Sequence, residues 1–162
     1  MDRSGLLTCK KQLVKRVILS AVTLFMIAFI FANSATDADS SSQSSTSVMD
    51  LLNGILNFCH INITLNENFV RKLAHFVEYF VLGTSMFFTA RSFNLHKTYC
   101  VFTVPLTGFV VASIDETIQR FFSGRSCQFS DVMLDFLGVT VAVFVMTAFL
   151  YIINKKDRGI LK

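Results

Sequence analysis

A bundle of four membrane-crossing α-helices is the fold class this sequence predicts, and three observations predict it. The 162 residues are 52% hydrophobic and only 16% charged, oilier than a water-soluble domain of this length. Four segments are each long enough to cross the ~30 Å of hydrocarbon in a bilayer. Lys and Arg collect at the flanks of those segments: residues 1–16 hold five of them and residues 155–162 hold four, whereas residues 17–70 hold none. The length suits one such domain over 1–162, with no second globular unit.

The first span runs from about Val14 to Ala32, behind Lys10, Lys11, Lys15 and Arg16. Ala32-Asn33-Ser34 would also serve as the small-residue site of a cleaved secretory signal. The span is expected to be retained, because the rest of the chain already commits it to the membrane. Asn33 to Ser47 is rich in Ser, Thr and Asp and reads as a flexible loop. Val48, Leu51, Leu52, Ile55, Leu56 and Cys59 then recur at helical spacing with Asp50, Asn53 and Asn57 between them. This predicts a short amphipathic helix in the first outer loop, lying on the leaflet or packing on the bundle. Asn62-Ile63-Thr64 matches a glycosylation sequon, an unspecific three-residue signal.

Only twelve uncharged residues, Tyr79 to Ala90, form the heart of the second span. A helix needs roughly 20 residues to cross, so this one must begin near Arg71 and take His75 and Glu78 into the outer part of the bilayer. A short basic loop with Arg91, His96 and Lys97 follows. The third span covers 98–114, with Pro105 either kinking it or accommodated by neighbours. A polar loop from Asp115 to Ser130 leads to the fourth span, 131–153, with Ser130 or Asp131 as its N-cap.

Basic residues favour the cytoplasmic side, so both termini and the 91–97 loop are expected inside. Tyr99 and Tyr151 then fall at the inner interface, where tyrosine is favoured. The net charge of +4 is confined to membrane flanks and gives no nucleic-acid signal. The four cysteines form no Cys-x-x-Cys pair. Cys9 and Cys100 belong inside. Cys59 and Cys127 share the outer side, where a disulfide is topologically allowed, but packing thiols are the plainer reading.

The ionisable residues of the outer ends are the candidate functional group. On a helix, Arg71, Lys72, His75, Glu78, Tyr79 and Leu82 occupy about a third of the circumference. Asp115, Glu116 and Gln119 share a face if the third helix continues past Ile114. Asp131, Asp135 and Gly138 follow i, i+4, i+7 spacing, and the helix N-terminus favours both aspartates. Arg120 and Arg125 lie in the connecting loop. Charge at membrane depth is costly and marks function.

Three roles compete for this group. It clamps helices as an ion-pair network, it binds a polar or zwitterionic headgroup, or it catalyses. In the last case His75 is the general base, Asp115 or Glu116 orients it, and Lys72 or Arg125 stabilises an anion. His75, Glu78, Asp115 and Glu116 are chemically able to hold a metal, but one histidine among acids is unspecific, and no cofactor or metal is expected. No phosphate loop, nucleophile elbow or nucleotide fingerprint is present. His60 and His96 read as solvated loop residues, and Gly83 as a close helix contact.

These motifs resemble one family. Arg71-Lys72-x-x-His75-Phe76-x-Glu78-Tyr79-x-x-Leu82-Gly83, Asp115-Glu116-x-x-Gln119, Arg125 and Asp131-x-x-x-Asp135-x-x-Gly138, with Phe31-Ala32-Asn33-Ser34 closing the first span, are similar to the VanZ-like membrane proteins. The likeness covers about Val17 to Ile153. It implies a multi-pass protein of the bacterial cytoplasmic membrane, associated with glycopeptide (teicoplanin) resistance. The partners it implies are membrane lipids and a cell-wall precursor or the antibiotic itself. It carries motif positions to this chain and no catalytic roles.

Overall fold

In the computed structural model the described residues form five helices: α1 (Arg3–Ser34), α2 (Ala38–Phe58), α3 (Glu67–Ser92), α4 (Lys97–Gln119) and α5 (Phe129–Ile160). The structure describes residues 3–36, 38–60, 64–122 and 128–160. Among the described residues there is no strand. Stretches of α1, α3, α4 and α5 are long and apolar enough to cross a membrane. Their outer surfaces carry large bare side chains: Phe25 is 67% exposed, Phe102 71% and Ile152 65%. Such surface is costly in water and unremarkable against acyl chains.

The helices overrun the boundaries read from hydropathy, for local reasons. α3 starts at Glu67 rather than near Arg71 because Asn66 caps it, accepting a 2.8 Å hydrogen bond from the Phe69 amide. α4 passes Ile114 and carries Asp115, Glu116 and Gln119 on its last turn, so the polar loop expected from Asp115 begins after Gln119. α4 also stays one helix through buried Pro105, which its neighbours accommodate. α5 begins at Phe129, ahead of the expected cap: the Gln128 carbonyl accepts from the Val132 amide, placing Ser130 and Asp131 inside the first turn.

The Ser-rich segment is the largest departure. A loop was expected over 33–47, but α2 starts at Ala38. Ser42 and Thr46 turn their hydroxyls to neighbour and helix instead of competing with the backbone. Thr46 donates to the Ser42 carbonyl at 2.9 Å, and Ser42 donates to Glu67 of α3 at 2.6 Å. Asn53 clamps the start of α3 from the other end, pairing with the Leu65 amide and carbonyl.

α3 and α5 form the central and most extensive pair. Their contacts advance together along both chains: Lys72 with Asp131, His75 with Asp135, Phe76 with Gly138, Gly83 with Val139 and Ala142. The two helices therefore run parallel. Small residues permit the approach, since a Cβ on Gly83 would stand 2.9 Å from the Val139 Cα. α4 runs against α5, with Gly108 facing Val139 and Phe109 edge-on to Phe136. α1 runs against α3, through Arg16 to the Ser92 carbonyl, a Thr23–Ser85–Thr89 hydroxyl cluster, and Asn33 to Glu78. Tyr79, Leu82, Phe87, Val139 and Val143 fill the shared core.

This arrangement gives the bundle two unlike ends. One gathers Arg16, Arg91, Lys97 and Lys155, with Arg16 also over the Phe93 ring. The other gathers the carboxylates.

Candidate functional site

Four helices deliver polar side chains to the carboxylate end. α1 finishes there with Asn33 and Ser34. The Asn33 amide donates to Glu78 Oε1 of α3 at 3.2 Å, and the buried Ser34 hydroxyl donates to Asp115 Oδ1 of α4. Gln119, one turn past Asp115, donates 3.3 Å hydrogen bonds to both Asp115 Oδ2 and Ser34 Oγ. Its neighbour Glu116, equally buried, accepts the Gln128 backbone amide at 2.6 Å. That bond ties the end of α4 to the start of α5.

The α3–α5 seam supplies an ammonium and an imidazole. Lys72 Nζ lies 3.6 Å from Asp131 Oδ1, at the half-open rim of the site. One turn deeper, His75 Nδ1 lies 3.9 Å from Asp135 Oδ1. The imidazole is about a quarter exposed, whereas Asp135 is 1% exposed. Both oxygens of Asp135 are buried and lack a hydrogen-bond partner among the described residues. His75, Asp115 and Asp135 each present an atom able to bind a metal, and those atoms lie within 4.8 Å of one another.

Burying carboxylates is expensive without partners or neutralisation. Asp115, Glu116 and Asp135 are each at most 1% exposed, and Glu78 joins them half-buried. The arrangement can fix a positive or strongly hydrogen-bonding group, or hold an imidazole in one orientation beside an acid.

The model of the family described as VanZ/LLP1 matches residues 19–152. The chain belongs to the VanZ/LLP1 family. No curated protein and no solved structure matches it. All the residues just described fall inside the matched stretch, so the polar end is part of the VanZ/LLP1 domain and not an appendage.

Of the residues singled out in the sequence, this VanZ/LLP1 chain brings Lys72, His75, Glu78, Tyr79, Asp115, Glu116, Gln119, Asp131 and Asp135 to one end. Arg71 is half-buried and makes no ion pair among the described residues. Arg125, Cys127 and the sequon's Asn62 and Ile63 lie outside the described residues. Asp115 stands beside His75 as expected, within the 4.8 Å group, and Asp135 joins it there because the parallel α3–α5 register matches 75 with 135.

Two members, Asn33 and Ser34, stand in the motif that closes the first span but were not counted in the candidate group. Their signal was present: two polar residues closing an apolar run, on the turn where α1 reaches the depth of Glu78 and Asp115. His60 sits in the turn after α2, and His96 caps α4, weakly, at 3.4 Å from the Thr98 amide. Cys9 and Cys59 are exposed, whereas Cys100 is a fully buried packing thiol.

Proposed function

We propose that this VanZ/LLP1 protein lies in the bacterial cytoplasmic membrane with both termini inside and its carboxylate end at the outer leaflet. There it modulates susceptibility to glycopeptides such as teicoplanin by holding a polar group of a surface lipid, a wall precursor or the antibiotic. The orientation rests on the positive-inside rule, since Arg16, Arg91, Lys97 and Lys155 gather at the opposite end. α2 then covers the outer mouth beside α3, to which Ser42 and Asn53 fasten it. Cys59, exposed just after α2, tests this: membrane-impermeant maleimide should label it in intact cells after the outer barrier is opened. Labelling only by permeant reagent would reverse the topology.

The observation that carries the binding reading is Asp135, buried with two unpartnered oxygens beside a partly exposed His75. Among the described residues carboxylates outnumber the cations facing them here, so a ligand bearing an amine or several hydroxyls suits the site better than an anion. The same pair supports a second reading, an intramembrane hydrolase or transferase for a lipid-linked headgroup. A histidine 3.9 Å from a buried aspartate has the elements of an oriented general base.

His75→Ala and Glu116→Gln separate these from a purely structural role. Both variants are expected to insert and fold, and to lose at least half of any shift in teicoplanin inhibitory concentration. Unchanged susceptibility with normal protein levels would leave only helix clamping. Turnover of a lipid-linked precursor by purified protein, abolished by His75→Ala, would favour catalysis over binding.

A further inference from the structure

We propose that His75, Asp115 and Asp135 form a binding site for a divalent first-row transition-metal ion of the zinc or manganese type. The sequence pointed to a different set, His75 with Glu78, Asp115 and Glu116. The structure divides those acids by task. Glu78 is engaged by Asn33, and Glu116 by the Gln128 amide, both at the edges of the cluster. Asp135 of α5 takes their place beside the imidazole.

Three lines support an ion here. First, the geometry is near closure. Metal–nitrogen and metal–oxygen bonds of about 2.0–2.2 Å put tetrahedral ligands about 3.4 Å apart. The three donor atoms lie within 4.8 Å of one another, with His75 Nδ1 already 3.9 Å from Asp135 Oδ1. Movements of under about 1 Å per side chain would complete the shell, leaving an open position as in catalytic zinc sites.

Second, the buried polar groups ask for one. Asp135 is 1% exposed and both its oxygens lack a partner among the described residues. Tyr79, fully buried one turn from His75, has a buried hydroxyl with no hydrogen-bond partner among the described residues. A +2 ion neutralises two carboxylates at a depth where separated charge is costly.

Third, the surroundings hold the ligands in place. Ser34 and Gln119 both donate to Asp115, the outer support that metal-binding carboxylates normally have. One imidazole with two carboxylates and no thiolate suits zinc, manganese or iron(II) rather than copper(I) or an iron–sulfur cluster. The inference concerns the same polar site as the ligand reading above and shares its unpartnered Asp135, but it is read by metal content and not by susceptibility, so the two fail separately.

The test uses the full-length, tag-free protein in detergent. The native chain should retain about one zinc or manganese per molecule after desalting. Stripped with chelator and titrated with Zn2+ against a chromophoric competitor, His75→Ala and Asp135→Asn should each bind at least tenfold more weakly. His60→Ala, in an exposed turn, should match the native chain.

The chain has three histidines, His60, His75 and His96. In a His60→Ala/His96→Ala background, any imidazole bound to Mn2+ must be His75. Pulsed EPR should then detect nitrogen coupling, which keeps the test informative if the site variants fail to fold. Absence of a stoichiometric ion, equal affinity in the site variants, or Mn2+ without nitrogen coupling would overturn the proposal.

Discussion

Asp115→Ala is expected to cost the folded bundle about 3–5 kcal/mol, the range for removing one partner from a buried charged network. The loss spreads because Asp115 helps tie α1 to α4 at this end, alongside the Gln119–Ser34 hydrogen bond. Ser34 of α1 and Gln119 of α4 both donate to it, and all three residues are buried. Truncation removes the acceptor of the Ser34 hydroxyl and one of the two acceptors of the Gln119 amide, the cost of a lost buried partner being about 1–3 kcal/mol.

Asp115→Asn should be much milder, about 1 kcal/mol, because its carbonyl still accepts from Ser34 and the Gln119 amide can turn over to accept from the new NH2. A double-mutant cycle between Ser34→Ala and Asp115→Ala should yield coupling above ~1 kcal/mol. Thermal unfolding of chelator-treated protein in detergent, followed by helical circular dichroism, measures all four chains. Additive effects would mean that the Ser34–Asp115 contact does not hold α1 to the bundle.

Gly138→Leu carries the second large effect, through backbone rather than charge. Even a single Cβ at 138 would stand 2.7 Å from the Phe76 carbonyl oxygen and 3.3 Å from the Phe80 nitrogen. Backbone atoms of α3 cannot turn aside as a side chain would, so the helices must separate. Gly138→Ala should cost about 1–3 kcal/mol, the usual toll of overpacking, and Gly138→Leu more. Separation also pulls Lys72 from Asp131 and His75 from Asp135, so function should fall with stability.

Gly108→Ala offers an internal comparison. Its Cβ meets the Cγ atoms of Val139 at 2.7 and 2.8 Å, an obstacle made of side chain. Adding Val139→Ala should therefore restore much of the stability lost by Gly108→Ala, while leaving Gly138→Ala unrelieved. Gly54, with nothing within 4 Å, should accept alanine with a small gain. Equal tolerance at Gly54 and Gly138 would contradict the close α3–α5 packing.

By itself the sequence determined how many apolar helices there are, which end of each carries charge, and which polar residues share a helix face. Those are one-dimensional properties: run length sets the spans, the distribution of Lys and Arg sets the ends, and a 100° step sets the face. Hence Lys72, His75, Glu78, Asp115, Glu116, Asp131 and Asp135 could be placed at a common depth before any contact was seen.

The tertiary structure decided which of them meet. Face and depth leave open which helix stands beside which, and that is settled by where backbones can approach closely. Gly83 and Gly138 bring α3 against α5 in parallel register, and this sets Asp135 rather than Asp115 alone beside His75. Likewise, α1 delivers Ser34 to Asp115 only because its antiparallel packing on α3 fixes where its last turn ends. The Ser-rich helix α2 was hidden for the same reason, since its hydroxyls gain partners only when Glu67 and the helix backbone are near.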